Sequence, residues 1–247
     1  MKDISIRYLK GVGPRREKAF NRCGVYTVRD LLSYFPFRYE DRTELKKIKD
    51  LAVGEFSLLK GKVLSTHYKN FPYFIRKRRV KSIFEIILED STGSIRVCWF
   101  NQGYLAESIK KGDELIIYGK LYLSKKGLQI VAPEFERSSS PDSLGVGRII
   151  GVYRLMKEFS QRFMRSIIHN ALDSYRKDYF DPLPYDIRKK LDMPNIVKSL
   201  EEIHFPTAWD NIQCARERFI FEELFFAQIL VYLRKAKHRQ QSTYPCK

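Results

Sequence analysis

The sequence predicts an α+β fold: a helical N-terminal segment, a five-stranded β-barrel in the middle and a helical C-terminal segment. Three shifts along the chain predict it. Residues 1–50 carry helix-start and turn signals, residues 51–136 turn to β-rich runs, and residues 137–247 return to helical periodicity. A chain of 247 residues with 44% hydrophobic residues has enough apolar material for cores of this size.

In the first segment, "YLKGVGPRREKAF" has an apolar lead, a turn at Gly11 and Gly13, and Pro14 where a helix can start. "TVRDLLSYFP" supplies a second short helix, with Thr27 as N-cap and Pro36 closing it. This is the pattern of a helix-hairpin-helix, whose glycines let the backbone approach a phosphate while a helix N-terminus offers its N–H groups. Arg15 and Arg16 would add charge there. The same residues also fit a plain αα-hairpin whose glycines only tighten the turn.

The second segment holds five runs: "EFSLLKGKVLS", "KSIFEIILED", "SIRVCWF", "DELIIYGKLYL" and "GLQIVAPEF". "DSTG" reads as the hairpin between the second and third, and the helical "NQGYLAESIKKG" separates the third from the fourth. Five strands with a helix after the third is the order of an OB-fold, which binds oligonucleotides on one face and in the loops joining strands 1–2 and 4–5.

The strand 1–2 loop, "HYKNFPYFIRKRRVK" (67–81), mixes Tyr68, Phe71, Tyr73 and Phe74 with Lys69, Arg76, Lys77, Arg78, Arg79 and Lys81. Cations alone would make a solvated face; cations interleaved with rings suit a surface that neutralises phosphates and stacks bases. The strand 4–5 loop, "SKKG", adds Lys125 and Lys126, expected on the same side. In "SIRVCWF", alternation gives Ile95, Val97 and Trp99 one face and Arg96, Cys98 and Phe100 the other. The apolar set should point inward, making Trp99 mostly core. Phe100 is left outside, and Tyr104, four residues on, can stand beside it.

In the third segment "RSSSPDSLGVG" is a linker by composition. "SQRFMRSIIHNALDSYRK" follows, with Phe163, Ile167, Ile168 and Leu172 at helical spacing. After a stretch broken by Pro182, Pro184, Pro194 and Pro206, a long helix is expected near 208–239. It is acidic in its middle and basic toward its end, as the helix dipole prefers, and its aromatics read as packing.

Bulk composition narrows the function classes. Lys and Arg total 46 against 29 acidic residues, a formal charge of +17, which favours a polyanionic partner: nucleic acid first, an acidic membrane surface second. No apolar run has transmembrane length, and Met1-Lys2-Asp3 opens no signal-peptide core. Cys23, Cys98, Cys214 and Cys246 form no C-x-x-C pair, and His67, His169, His204 and His238 are scattered, so reduced thiols, no metal site and a cytoplasmic location are expected. Glu222 and Glu223 are adjacent on a helix and do not face each other, so no catalytic residue is assigned. No G-x-x-x-x-G-K-[ST] loop exists. Gly61-Lys62 and Gly119-Lys120 run into Val63 and Leu121, leaving no cradle for ATP phosphates or their magnesium.

Five segments, "LKGVGPRREKAF", "TVRDLLSYFPFRYEDRT", "LEDSTGSIRVCWFNQGYL", "SLEEIHFP" and "ARERFIFEELFFAQ", stand in an order and spacing that resembles the N-terminal part of the RecG family of bacterial ATP-dependent DNA helicases. The resemblance covers nearly the whole chain, and "FPFRYEDRT" and "IHFP…ARERFIFEEL" are its most specific parts. It implies a wedge domain that inserts at a replication fork or Holliday junction and splits the strands, in an enzyme of recombination and DNA repair. Family aromatics at the strand exit, which stack on junction bases, match Phe100 and Tyr104, and Trp99 stands where some members place another ring. Backbone contacts are then expected from Arg76, Lys77, Arg78, Arg79, Lys81, Arg96, Lys125, Lys126, Gly11, Gly13, Arg15 and Arg16.

The resemblance further implies a domain order of 1–50 helical, 51–136 wedge, and 137–247 linker and helices leading toward a motor. ATP and Mg2+ would bind that motor, which would begin beyond Lys247, so the chain is expected to be a fragment or truncated product without cofactor or ATPase activity of its own. Its partners would be branched DNA, single-stranded/double-stranded junctions and the motor of the same polypeptide; it would be monomeric, nucleoid-associated and away from membranes. "GVYRLMKEFSQ" (151–161) departs from the family in lacking prolines that members often carry there. The competing reading is a stand-alone OB-fold protein for single-stranded DNA or RNA, with no enzymatic activity and no preference for a branch.

Overall fold

The computed structural model describes residues 4–71, 80–125, 127–138, 145, 147–154 and 159–241. In chain order the elements are α1 (Pro14–Asn21), α2 (Val28–Leu32), β1 (Arg38–Arg42), β2 (Phe56–Asn70), β3 (Ser82–Asp90), β4 (Gly93–Phe100), α3 (Leu105–Ser108), β5 (Glu114–Ser124), β6 (Gly127–Val131), β7 (Glu134–Arg137), β8 (Arg148–Val152), α4 (Gln161–Tyr175), α5 (Tyr185–Lys190), α6 (Ile196–His204) and α7 (Trp209–Gln241). Two compact units emerge: Met1–Glu40 together with Ile149–Lys247, and Asp41–Arg148. The strands β1 and β8 pair in a two-stranded sheet.

The helical unit draws on both ends of the chain. Its core joins Ile6, Phe20, Leu31 and Leu32 from the start of the chain to Tyr153, Ile167, Ile168 and Leu200 from the end. The short N-terminal helices cannot cover their own apolar side, and α4 and α6 supply the cover. Each start has a local cause. Pro14 opens α1 behind Gly13. Thr27 and Asp30 form a reciprocal capping box on α2, Oγ1 accepting from the Asp30 N–H at 3.1 Å and the Asp30 carboxylate accepting from the Thr27 N–H at 2.9 Å. Burial pushes the Asp30 carboxyl up, but these bonds and one from the Tyr26 N–H outweigh it and hold it below the usual range. Ser160 and Asn195 cap α4 and α6.

Among the described residues, a three-residue 3-10 turn, Ile6–Tyr8, precedes the glycines and α1 follows them. The α7 rings divide. Phe219 packs on the core and against Phe35 at 4.7 Å, whereas Ile220, Leu224, Phe226, Leu230, Tyr232 and Leu233 are exposed, contrary to the packing expectation for the later turns.

The barrel unit has sheet order β2-β3-β4-β6-β5-β7, and β2 also pairs with β5, which closes the ring. All ladders are antiparallel except β4–β6, with α3 between β4 and β5. This is the OB arrangement the strand order predicts, with one more strand. The run "GLQIVAPEF" breaks at Ala132, whose φ of 47° lies in the left-handed region, and at Pro133, which has no N–H to donate. Its two halves, β6 and β7, therefore pair with successive stretches of β5, β6 with Leu121–Ser124 and β7 with Leu115–Tyr118.

Strand β2 serves both sides of the closure. Phe56 to Lys62 pair with β5 and Lys62 to Asn70 with β3, with an irregularity between Val63 and Ser65. Gly61 sits at the crossing, where a Cβ would meet the Glu89 carbonyl at 2.6 Å. The interior is filled by Leu59, Val63, Phe84, Ile86, Leu88, Ile95, Val97, Trp99, Leu115, Ile117 and Ile130.

Candidate nucleic-acid interface

The end of β4 separates two adjacent rings. Trp99 is 1% exposed, stacked on Phe84 (centroids 5.8 Å apart, 25° between planes) and edge-on to Phe135 at 5.5 Å. Its Nε1–H donates to the Pro133 carbonyl at 3.1 Å. A base could reach it only if the barrel opened, so Trp99 is removed from the candidate stacking residues. Phe100 is 38% exposed and Tyr104 66%.

Asn101 sets the turn between them. Its φ of 58° is left-handed, a conformation Asn tolerates better than most residues. Its N–H donates to the Ser82 carbonyl at 2.9 Å and its Oδ1 accepts from the Lys81 N–H at 2.6 Å. The strand exit is thereby clipped to the start of β3. One turn on, the Leu105 N–H donates to the Gln102 carbonyl at 3.0 Å and the Tyr104 hydroxyl to Gln102 Oε1 at 3.1 Å, which opens α3. An Asn-Gln-Gly run after a strand is the sequence signal for this turn.

The ladders fix what surrounds the rings. Strand β2 runs on through His67–Asn70, which the sequence assigned to a loop. Lys69 pairs with Ile83 and Ile83 with Phe100, so an exposed lysine and the exposed Phe100 share the outer face across three strands. Arg96 is on that face too, half-buried, in the row of Ile87 and Ser65. Lys81 is exposed beside Asn101. Arg76, Lys77, Arg78, Arg79 and Lys126, with Tyr73 and Phe74, lie outside the described residues.

Lys125 is not on the same side. It occupies the β5–β6 turn, and the parallel register of Arg96 with Gln129 and Cys98 with Val131 brings that turn to the opening end of β4, near Ser94. Six residues of strand, about 20 Å at the usual rise, separate Ser94 from Phe100. Cys98 shares the alternation of Arg96 and Phe100 yet is buried, its thiol 3.7 Å from the Ile130 carbonyl. Burial, with the nearby Glu85 carboxylate, pushes that thiol up to about 11 and leaves it unreactive at neutral pH.

The N-terminal candidates lie in the helical unit. Gly11 has a φ of 97° and its carbonyl accepts from Arg16 at 2.7 Å, while the Arg16 guanidinium sits 4.5 Å over the Phe163 ring. Arg16 thus braces its own unit. Gly13 has extended backbone before α1, and exposed Arg15 lines a shallow concavity with Lys18 and Arg22. Among the described residues no cluster of three His, Cys, Asp or Glu side chains could hold a metal ion, and no helix is long and apolar enough to cross a membrane.

The RecG wedge domain family profile matches residues 5–174. The chain belongs to the RecG wedge domain family. ATP-dependent DNA helicase RecG of Thermotoga maritima is 32% identical over 240 residues, covering 96% of this chain and 29% of the relative. The Bacillus subtilis RecG is 29% identical over 238 residues, covering 96% and 33%. Among solved structures, RecG bound to a three-way DNA junction superposes with a TM-score of 0.79 at 31% identity, covering 98% of this chain and 32% of that one. The chain spans about a third of the length of these RecG relatives.

Proposed function

We propose that this chain is the branched-DNA-binding, strand-splitting wedge of a RecG-type ATP-dependent DNA helicase acting in recombination and repair. The observation that carries the reading is the exposed pair Phe100 and Tyr104, held on a clipped turn beside Lys69 and Lys81. Each ring can replace base stacking lost at a branch, worth roughly 1–3 kcal/mol per base. The lysines, Arg96 and the basic run 76–79 track phosphates without reading sequence. ATP and Mg2+ bind in the motor of the longer polypeptide, which pulls duplex across a wedge that stays rigid. The likeness to a RecG structure that holds a three-way DNA junction supports a fork or Holliday junction as the substrate.

The test is binding of this chain to a three-way fork and to a linear duplex of equal length at one fixed salt. Tighter binding to the fork is expected. Equal binding would leave only a basic surface and would favour a general single-strand binder instead.

A further inference from the structure

We infer that Tyr68 is a third ring of the junction contact, standing across the turn from Phe100 and Tyr104 and taking the π-face of an unpaired nucleotide at the branch; this rests on the junction-binding reading above. Tyr68 pairs with Phe84, and Phe84 with Trp99, so the three rings share the inner face in one row across β2, β3 and β4. Two of them fill the core. The third lies beyond it and is 46% exposed.

Gly103 shows where the Tyr68 ring rests. A Cβ at position 103 would meet Tyr68 Oη at 2.8 Å, Cε2 at 3.0 Å and Cζ at 3.2 Å. Gly103 is not among the glycines with positive φ, so its backbone does not require glycine; the room for the tyrosine ring does. Tyr68 therefore packs on the residue next to Tyr104 and three after Phe100. A tyrosine ring held half-exposed against a glycine turn, next to Tyr104, offers a stacking surface.

Stacking and mere support of neighbouring phosphate contacts leave different signatures. Loss of a stacking ring lowers affinity at every salt concentration and leaves the slope of log affinity against log salt unchanged, whereas loss of a phosphate contact lowers that slope by about one per contact. The experiment compares the wild-type chain, Tyr68→Ala, Tyr68→Phe and Gly103→Ala on a three-way fork carrying 2-aminopurine at the branch. Affinity, salt slope and fluorescence quenching are read for each, with melting curves to establish folding.

Tyr68→Ala should weaken fork binding roughly five-fold or more, with less quenching and the same salt slope. Tyr68→Phe should behave as wild type. Gly103→Ala, which displaces the ring without removing it, should fall between them and keeps the test open if Tyr68→Ala does not fold. Wild-type affinity and quenching in folded Tyr68→Ala, while the wild-type chain still prefers the fork, would overturn the role of Tyr68 alone. A reduced salt slope would also overturn it, assigning Tyr68 to the support of phosphate contacts. Absence of fork preference in the wild-type chain would overturn both this inference and the reading beneath it.

Discussion

Trp99 and Phe100 are consecutive in the chain and opposite in environment: the first is 1% exposed and hydrogen-bonded to the Pro133 carbonyl, the second is 38% exposed at the barrel surface. Strand alternation turns one ring inward and the next outward. Replacing the two should therefore separate stability from DNA binding.

Phe100→Ala combined with Tyr104→Ala removes two exposed rings and little core. Fork affinity should fall by about 1–3 kcal/mol for each ring that stacks on a base, and the thermal midpoint should stay close to wild type. Fluorescence anisotropy on a labelled fork, with circular dichroism melting on the same samples, checks both. A double variant that melts far below wild type would return these rings to the core.

Trp99→Ala should do the reverse. It empties a site packed by Phe84 and Phe135 and leaves the Pro133 carbonyl without its donor. A loss of roughly 3–5 kcal/mol is expected, measured from the urea midpoint, while fork affinity of the remaining folded protein is kept.

Much of this was legible in the sequence because it follows from local rules. Turn residues and alternation placed the barrel strands, the helix between the third and fourth, and the opposite facing of Trp99 and Phe100. What was not legible depends on long-range pairing. The union of residues near Phe20 with those near Ile167 into one core cannot be read from either segment, since each merely presents an apolar face. The distance between Lys125 and Phe100 depends on a parallel ladder between β4 and β6, which no local signal marks. The end of β2 was misread because the polar, basic composition of His67–Asn70 resembles a loop, whereas pairing with β3 keeps it extended. Cys98 looked outward by alternation, but its position between paired strands left it buried.

The Asn101 clip should be measurable by itself. Asn101→Ala forfeits the bond from the Lys81 N–H and puts a Cβ residue without a compensating side chain into left-handed backbone. The expected cost is about 1–2 kcal/mol. Asn101→Gly should cost less, because glycine accepts that conformation. Hydrogen exchange at the Lys81 amide should quicken in both variants, and fork affinity should fall with it if the turn sets the ring positions. Unchanged exchange at Lys81 would show that the strand exit is held by other contacts.

The helical unit carries its own pH dependence, set by His204. The ring is fully buried, with Nε2 2.9 Å from the Leu32 carbonyl and Nδ1 3.0 Å from the Tyr153 hydroxyl. A carbonyl only accepts, so Nε2 carries the proton, and Nδ1 accepts from Tyr153. This is the neutral imidazole. Burial lowers its pKa from 6.5 to about 4, partly opposed by the bond to Leu32. Unfolding restores the ordinary value, so the unfolded chain binds a proton more readily. His204 therefore contributes its full share of stability above pH 6.5, and loses it as pH falls from 6.5 through about 4. The loss below that window should be roughly 3 kcal/mol. His204→Gln keeps a donor and an acceptor but does not titrate. It should be less stable than wild type at pH 7, and the gap between the two should close as the pH is lowered to 4. Urea unfolding of both chains at half-unit pH steps measures that gap directly, and a constant gap across the window would show that His204 is not neutral and buried in the folded protein.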